Sequence, residues 1–240
     1  MLDQITKAVK FAFMDNQLPW LLNAITDWSY EEGGAPGFSA YTYLFEQTGT
    51  PSPIANTMRL GINGWLDRAF HSAGLDVTNR RKSHGYDFSV QGTNNRTADI
   101  ESKLSYDCTL SKYYGEISHD RERLLESKAD HAYQVVYIVS LPNYWYPAGV
   151  WNGKSHKARE TKHLGIMAQW NAIRSNISAP TVFEGGQPLV LPFDEEVKSS
   201  AVGYLKAYFN HVYRPNTSWD FSIDQHLRDA SVGIALWQWR

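Results

Sequence analysis

Hydrophobic residues recur at three- and four-residue spacing in several segments, and this spacing is typical of amphipathic helices. Helices are predicted at 3–14, 17–29, 39–47, 54–74 and 118–128, from about Ile166 to Ile177, and after Asp194. β-branched and aromatic runs predict strands at 75–78, 86–91, 97–106, 133–139 and 188–191, with an edge strand at 231–240. Helices interspersed with strands indicate an α/β (α+β) fold, in which helices flank a central mixed β-sheet.

The middle of the chain carries the clearest topological signal. Gly74 is expected to end the helix that begins at residue 54, and turn-forming residues join the strands that follow. The charged segment 118–128 is expected to be a mostly solvated helix that leads into the apolar strand 133–139. A strand, a helix and a further strand form a crossover, which predicts a parallel pair within the sheet.

Composition places only weak limits on the class of protein and on its partners. The 240 residues suffice for one domain, and 42% hydrophobic with 20% charged residues is ordinary for a globular protein. A formal net charge of −2 neither requires nor excludes a polyanionic partner, because nucleic-acid binding needs only a local basic face. The single cysteine, Cys108, excludes a disulfide framework and a cysteine zinc site. With no signal-like amino terminus and no apolar run of membrane length, we expect a cytoplasmic protein with no membrane partner.

The segment 97–106 has an unusual distribution of charge. Side chains alternate across a strand, so Asp99, Glu101 and Lys103 are expected to share one face. Charged groups on a strand that also carries core residues are costly unless the protein uses them. Asp87, on the preceding predicted strand, supplies a further acid that the sheet can bring beside them.

The acid Asp87, followed on the next strand by Glu101-Ser102-Lys103, resembles the motif of the PD-(D/E)XK nuclease superfamily, which includes many restriction endonucleases and repair or recombination nucleases. Tyr86 stands where the family usually has a proline. The succession of a helix, two acid-bearing strands, a helix and a buried strand is similar to the family's core. The resemblance implies a single nuclease domain at 1–240, with a helical annex at 1–55, a catalytic core at 56–140 and added helices and strands at 141–240.

The resemblance also implies a role for each residue of the motif. Asp87, Glu101 and Lys103 are expected to be catalytic, and Asp87, Glu101 and the backbone carbonyl of Ser102 to bind Mg²⁺, for which Mn²⁺ can substitute. Hard oxygen ligands suit Mg²⁺, and a metal-bound water has a lowered pKa. Lys103 is expected to orient or deprotonate the attacking water, whereas the side chain of Ser102 is not expected to contribute.

Two further acids stay open as alternatives. Asp99 shares the predicted face of Glu101, so it is either a metal ligand in place of Asp87 or a residue in water at the open end of the strand. Asp87 is preferred because two strands bring acids together more naturally than one. Asp67, on the helix before the first strand, matches a position where the family often has an additional acid.

Other charged segments are assigned less specific roles. DNA-backbone contacts are predicted for the basic residues Arg80, Arg81, Lys82, Lys154, Lys157 and Arg159. An ordinary solvated turn is an equally good interpretation of 80–82. His119-Asp120 is interpreted as part of a helix surface, and little weight is given to the second triplet, Glu126-Ser127-Lys128, because no acid-bearing strand precedes it.

Taken together, the residues favour a Mg²⁺-dependent endonuclease that hydrolyses double-stranded DNA. The large additions around a small core are typical of a sequence-specific type II restriction endonuclease, and a palindromic recognition site would imply a homodimer. The alternatives are a repair, junction or phage-encoded nuclease of the same superfamily and a non-enzymatic protein that binds nucleic acid or carbohydrate through its Trp and Tyr residues. A third is an interaction protein with no chemistry. Without a function, the charged set would be a solvated polar face of an antiparallel sheet with a Glu–Lys pair.

Overall fold

A computed structural model describes residues 1–31, 53–80, 86–106, 110–142, 165–174, 177, 180–213 and 227–240. The helices are α1 (Leu2–Met14), α2 (Gln17–Glu31), α3 (Pro53–Ser72), α4 (Leu110–Leu125), α5 (Ile166–Arg174) and α6 (Glu195–Tyr213), with a 3₁₀ turn at Glu184–Gly186. The strands are β1 (Asp76–Arg80), β2 (Phe88–Gln91), β3 (Thr97–Tyr106), β4 (His131–Ser140), β5 (Leu189–Pro192) and β6 (Ser231–Gln238). The predicted helix at 39–47 lies outside the described residues. None of the described helices is both long enough and apolar enough to cross a membrane.

The described strands form one six-stranded sheet in the order β1-β2-β3-β4-β6-β5. Strands β3 and β4 are parallel, which confirms the predicted crossover, and the other neighbours are antiparallel. A mixed sheet flanked by helices confirms the predicted α/β (α+β) fold class. The prediction of an edge strand at the tail is wrong, because β6 lies between β4 and β5. Residues 232–237 are all buried, so the polar positions of the tail do not mark an exposed face.

The sheet is covered on both faces because alternate residues of β4 enter different cores. Val135 and Tyr137 belong to a cluster that contains residues of α1, α2 and α3, whereas Val136 and Ile138 belong to a second cluster with α5. The hydroxyl group of Tyr137 donates a hydrogen bond to the backbone carbonyl of Val9 at 2.8 Å. The amino-terminal helices therefore pack directly on the sheet.

Helix α4 contacts β3 and β4. Its residues Ile117, Asp120 and Leu124, at positions i, i+3 and i+7, are buried. Most residues of 118–128 are exposed or half-buried, which agrees with the prediction of a mostly solvated helix. The buried positions Asp120 and Leu124 were not expected, and with Ile117 they turn one side of α4 into the protein.

Glycine conformations shape helix α3 and its exit. Gly61 interrupts the helix with φ 59° and ψ −171°, a conformation that side chains with a Cβ rarely adopt. Gly74 has φ 74°, and its N–H donates to the carbonyl of His71 at 3.0 Å, so it ends the helix as predicted. Strand β1 then runs as far as Arg80, into the segment that was expected to be a turn.

Candidate active site

The two acids of the motif lie side by side at the point where β2 begins, beside the middle of β3. Strands β2 and β3 pair with Phe88 opposite Ile100, which brings Asp87, the residue before β2, level with Glu101. The two residues are 5% and 1% exposed. Their carboxyl groups are close enough to share a hydrogen bond, which is one of the causes of a raised pKa at Glu101. The structure therefore brings together the two acids that the sequence selected.

Ser102 holds the carboxylate of Asp87 in place. The backbone N–H of Ser102 donates to Oδ2 of Asp87 at 2.9 Å, and the hydroxyl group of Ser102 lies 3.0 Å from the same oxygen. Hydrogen bonds to a charged acceptor are stronger than neutral ones and fix its orientation. The expectation that the Ser102 side chain does not contribute is therefore wrong for the structure of the site.

Asn63 connects the contact between Ser102 and Asp87 to helix α3. Its side-chain oxygen lies 2.8 Å from the hydroxyl of Ser102, which also contacts Asp87. A hydroxyl group has one proton and a carboxylate can only accept, so Ser102 is best satisfied when it donates to Asp87. The amide of Asn63 then presents its NH₂ group to the Ser102 oxygen, since the amide oxygen and nitrogen are assigned from hydrogen bonding alone. The result is a directional chain from Asn63 through Ser102 to Asp87.

Glu101 is surrounded by negative charge. Its pKa is raised from 4.5 to about 8, first by burial and then by the charges of Asp87 and Asp120. Arg123 opposes this shift, and its Nη2 atom lies 2.9 Å from Oε1 of Glu101. Within the described residues, Oε1 nevertheless accepts no hydrogen bond of good geometry, so the contact is an ion pair that leaves the oxygen able to accept another donor or a cation.

Lys103 forms an ion pair with Asp120 of α4. The distance between Nζ of Lys103 and Oδ2 of Asp120 is 3.0 Å. The other oxygen of Asp120 lies 3.6 Å from Nη1 of Arg123. The side chain of Asp120 is only 6% exposed, so its interpretation as a surface residue is wrong. The spacing of Asp120 within the apolar stripe of α4 is the sequence signal that could have identified it.

Asp99 has a different environment from that of Asp87. Its Oδ1 accepts a hydrogen bond from the hydroxyl of Ser89 and its Oδ2 one from the hydroxyl of Ser127, both at 2.6 Å. The residue is 9% exposed, so it does not lie in water at an open strand end. Because both of its oxygens are held by hydroxyl groups, the contacts favour Asp87 as the second metal ligand, and that assignment stays a prediction.

Tyr86, at the position where the family usually has proline, connects the segment before β2 to helix α4. Its hydroxyl donates to the backbone carbonyl of Arg123 at 2.9 Å. The guanidinium group of Arg123 also lies over the Tyr86 ring, 5.6 Å from its centroid. Tyr86 thereby orients the arginine that contacts Glu101.

For the remaining residues that the sequence selected, the structure describes fewer contacts or none. Asp67 is partly exposed on α3, one turn after Asn63, and its role as an additional acid stays a prediction. Arg80 is the last residue of β1, and the structure does not describe its side chain. Five basic residues predicted to contact DNA lie outside the described residues: Arg81, Lys82, Lys154, Lys157 and Arg159.

The donor set fits Mg²⁺ in chemical type. Asp87 and Glu101 offer adjacent carboxylates, and Oε1 of Glu101 is buried with unused acceptor capacity. Within the described parts of the chain, no group of three or more His, Cys, Asp or Glu residues is arranged to hold a metal. Mg²⁺ usually keeps several water ligands and binds through one or two carboxylates, so two acids and a backbone carbonyl are a sufficient protein contribution.

No family model, curated protein or solved structure matches this chain. The assignment of a function therefore depends on the residues and contacts described above.

Proposed function

We propose that this protein is a Mg²⁺-dependent endonuclease that hydrolyses phosphodiester bonds in double-stranded DNA. The observation that carries the proposal is the pair of buried carboxylates, Asp87 and Glu101, with Lys103 on the same strand as Glu101. Buried acids that repel one another cost folding free energy, and such arrangements concentrate at functional sites. Their approach, with Asp87 directly before β2 and Glu101 on β3, is close to the arrangement on neighbouring strands that the PD-(D/E)XK resemblance implies.

Each residue of the site would have its own role in catalysis. Asp87, Glu101 and the carbonyl of Ser102 would hold Mg²⁺ or Mn²⁺, which when bound stabilises the charge on the phosphate and lowers the pKa of a bound water. The N–H and hydroxyl of Ser102 keep one oxygen of Asp87 in a fixed position. Lys103, whose side chain is 17% exposed, would orient the attacking water or hold its proton.

Sequence-specific cleavage, as in a type II restriction endonuclease, is the form of the activity that we favour. Helices α1 and α2 and the elements after β4 are additional to the strands that carry the motif. Additions of this size are where a sequence-specific enzyme carries the loops that read base edges. A palindromic site would be cut by a homodimer, and the enzyme would act in the cytoplasm. A repair, junction or phage-encoded nuclease of the same superfamily is the nearest rival.

The aromatic residues give less support to a non-enzymatic binding protein. Four of the nine tryptophans, Trp20, Trp65, Trp170 and Trp237, are at most 1% exposed. Buried rings cannot stack on bases or sugars. These four residues therefore belong to the core and not to a binding surface.

The proposal is tested by incubating the purified protein with plasmid, phage DNA and RNA, with Mg²⁺, with Mn²⁺ and with EDTA. Wild-type protein is expected to cut DNA only with a divalent cation, and discrete bands would indicate sequence specificity whereas a smear would indicate nonspecific cleavage. Asp87→Ala and Lys103→Ala are expected to lose cleavage but to retain DNA binding in a gel-shift assay.

Lys128→Ala is the matched control for this digest. Lys128 is the exposed lysine of the second Glu-x-Lys triplet, at 126–128, and its removal is expected to leave the cleavage rate unchanged. Equal loss of cleavage in K128A and K103A would contradict the assignment of the site. No cleavage of any DNA by folded wild-type protein would overturn the proposed function, and cleavage of RNA alone would change its substrate.

A further inference from the structure

Helix α4 reaches the candidate site through two residues on one side of the helix. Asp120 and Arg123 stand at positions i and i+3, while Glu101 and Lys103 stand two positions apart on β3. The rise between the helical positions is about 4.5 Å and that between the strand positions about 6.6 Å, so each helix residue can meet one strand residue. Arg123 contacts Glu101 at 2.9 Å, and Asp120 contacts Lys103 at 3.0 Å.

The contact between Asp120 and Lys103 joins a long side chain to a short, buried one. In water, a lysine ammonium group on its four-carbon stem occupies many positions. The Asp120 carboxylate is 6% exposed and belongs to the buried stripe of α4, so its own range of positions is small. The ion pair therefore restricts the Lys103 ammonium group to the side of β3 that faces α4, where Glu101 also lies.

Asp120 is oriented in turn by Arg123. The two side chains approach to 3.6 Å through Oδ1 of Asp120, while Oδ2 faces Lys103. Arg123 is held by the ring and hydroxyl of Tyr86. Within the described residues, Oδ2 of Asp120 accepts no hydrogen bond of good geometry, so its contact with Lys103 is an ion pair.

We propose that Asp120 is a positioning residue, which holds the ammonium group of Lys103 where the attacking water of DNA hydrolysis would be oriented. The inference rests on the proposed function, because Asp120 acts through Lys103. It goes beyond the sequence motif, which contains no acid on α4. A purely structural ion pair between α4 and β3 would change stability without a selective effect on the chemical step.

The first test compares steady-state kinetics at saturating Mg²⁺. Asp120→Asn removes the charge with little change of shape, and we expect kcat to fall at least about tenfold while KM for DNA stays within about twofold. Asp120→Glu keeps the charge and is expected to recover part of kcat. In a Lys103→Met background, D120N is expected to have little further effect on the residual rate, because the residue acts through Lys103.

The second test needs no cleavage. In protein labelled with ¹⁵N-lysine, the ammonium signal of Lys103 is assigned by its loss in Lys103→Met. We expect slow solvent exchange of this signal in the wild type and its loss in D120N. Glu195→Gln is the matched control, since it removes a carboxylate that contacts Lys198 at 2.8 Å on α6 and should change neither the Lys103 signal nor kcat.

The outcomes distinguish the positioning role of Asp120 from the proposed nuclease function. The positioning role would be overturned if D120N had the wild-type kcat and an unchanged Lys103 signal. It would also be overturned if D120N lowered kcat by the same factor with and without Lys103. If circular dichroism shows that D120N does not fold, D120E must lower kcat and shift the Lys103 signal, and wild-type values for both would overturn the role. A wild-type protein that cleaves no DNA contradicts the proposed nuclease instead, and the Lys103 signal then decides whether Asp120 holds the lysine.

Discussion

Ser102 donates its backbone N–H to Oδ2 of Asp87 at 2.9 Å, and its hydroxyl group lies 3.0 Å from the same atom. One residue of the Glu-x-Lys triplet therefore fixes the acid that directly precedes β2. The central residue of the triplet links Asp87 to the strand that carries Glu101 and Lys103, and through Asn63 it links the site to helix α3.

Ser102→Ala is expected to weaken the site without unfolding the protein. Loss of one buried hydrogen bond should lower the free energy of unfolding by about 1 kcal/mol, and a less ordered Asp87 should lower kcat by roughly three- to tenfold. Urea unfolding and digestion rates measure the two effects. Ser199→Ala removes an exposed hydroxyl on α6 and is expected to change stability by less than about 0.5 kcal/mol with no change in kcat. Identical behaviour of the two variants would remove Ser102 from the site.

Asp87→Asn is expected to lose activity, whereas Asp99→Asn is expected to lose stability. D87N should lose cleavage by about a hundredfold or more, because the amide is a poor ligand for Mg²⁺. D99N should keep much of its activity but lose about 1–3 kcal/mol of stability, because the Ser89 and Ser127 hydroxyls no longer meet a carboxylate. Cleavage kinetics and urea denaturation distinguish the variants. Loss of cleavage in a stable D99N protein would make Asp99 the second ligand.

The pKa of Glu101, raised to about 8 from 4.5, predicts that stability without metal falls as pH increases. In this range the folded state binds more protons than the unfolded state, so the free energy of unfolding decreases between about pH 4.5 and 8. We expect a loss of roughly 1–4 kcal/mol across the window in EDTA. Glu101→Gln should remove this slope, and Mg²⁺ should stabilise the wild type more at pH 8 than at pH 6. An unchanged slope in E101Q would show that another group causes it.

Gly233→Ala is expected to disturb the packing of α5 on β6. A Cβ atom at Gly233 would lie 2.9 Å from Cγ2 of Ile166, so the Ile166 side chain or the backbone that carries it must shift. We expect a loss of about 1–3 kcal/mol in the free energy of unfolding, and Ile166→Ala should offset part of this loss. Gly203→Ala on α6 is the control, because a Cβ there meets no atom within 4 Å and a better helix former should be neutral or stabilising. Equal destabilisation by both substitutions would contradict this packing.

Local periodicity was sufficient to predict most elements and the central pair of the site. The alternation at 97–106 predicted β3, and the acid on the preceding strand predicted the approach of Asp87 to Glu101. These predictions succeeded because strand alternation and hairpin register depend on residues that are close along the chain. The parallel pairing of β3 with β4 also followed from element order, since a crossover places the two strands in the same direction.

The partners of each charge depended on packing between segments far apart in sequence. Which side of α4 faces β3 determines that Asp120 meets Lys103 and that Arg123 meets Glu101. The burial of β6 on both faces likewise depends on α5 on one side and on the cluster that contains α1 on the other, and the alternation of β6 itself did not reveal it. A charged side chain has the same local propensity whether solvent or another charge lies beside it, so its burial and partner are determined only when helix and sheet are packed together.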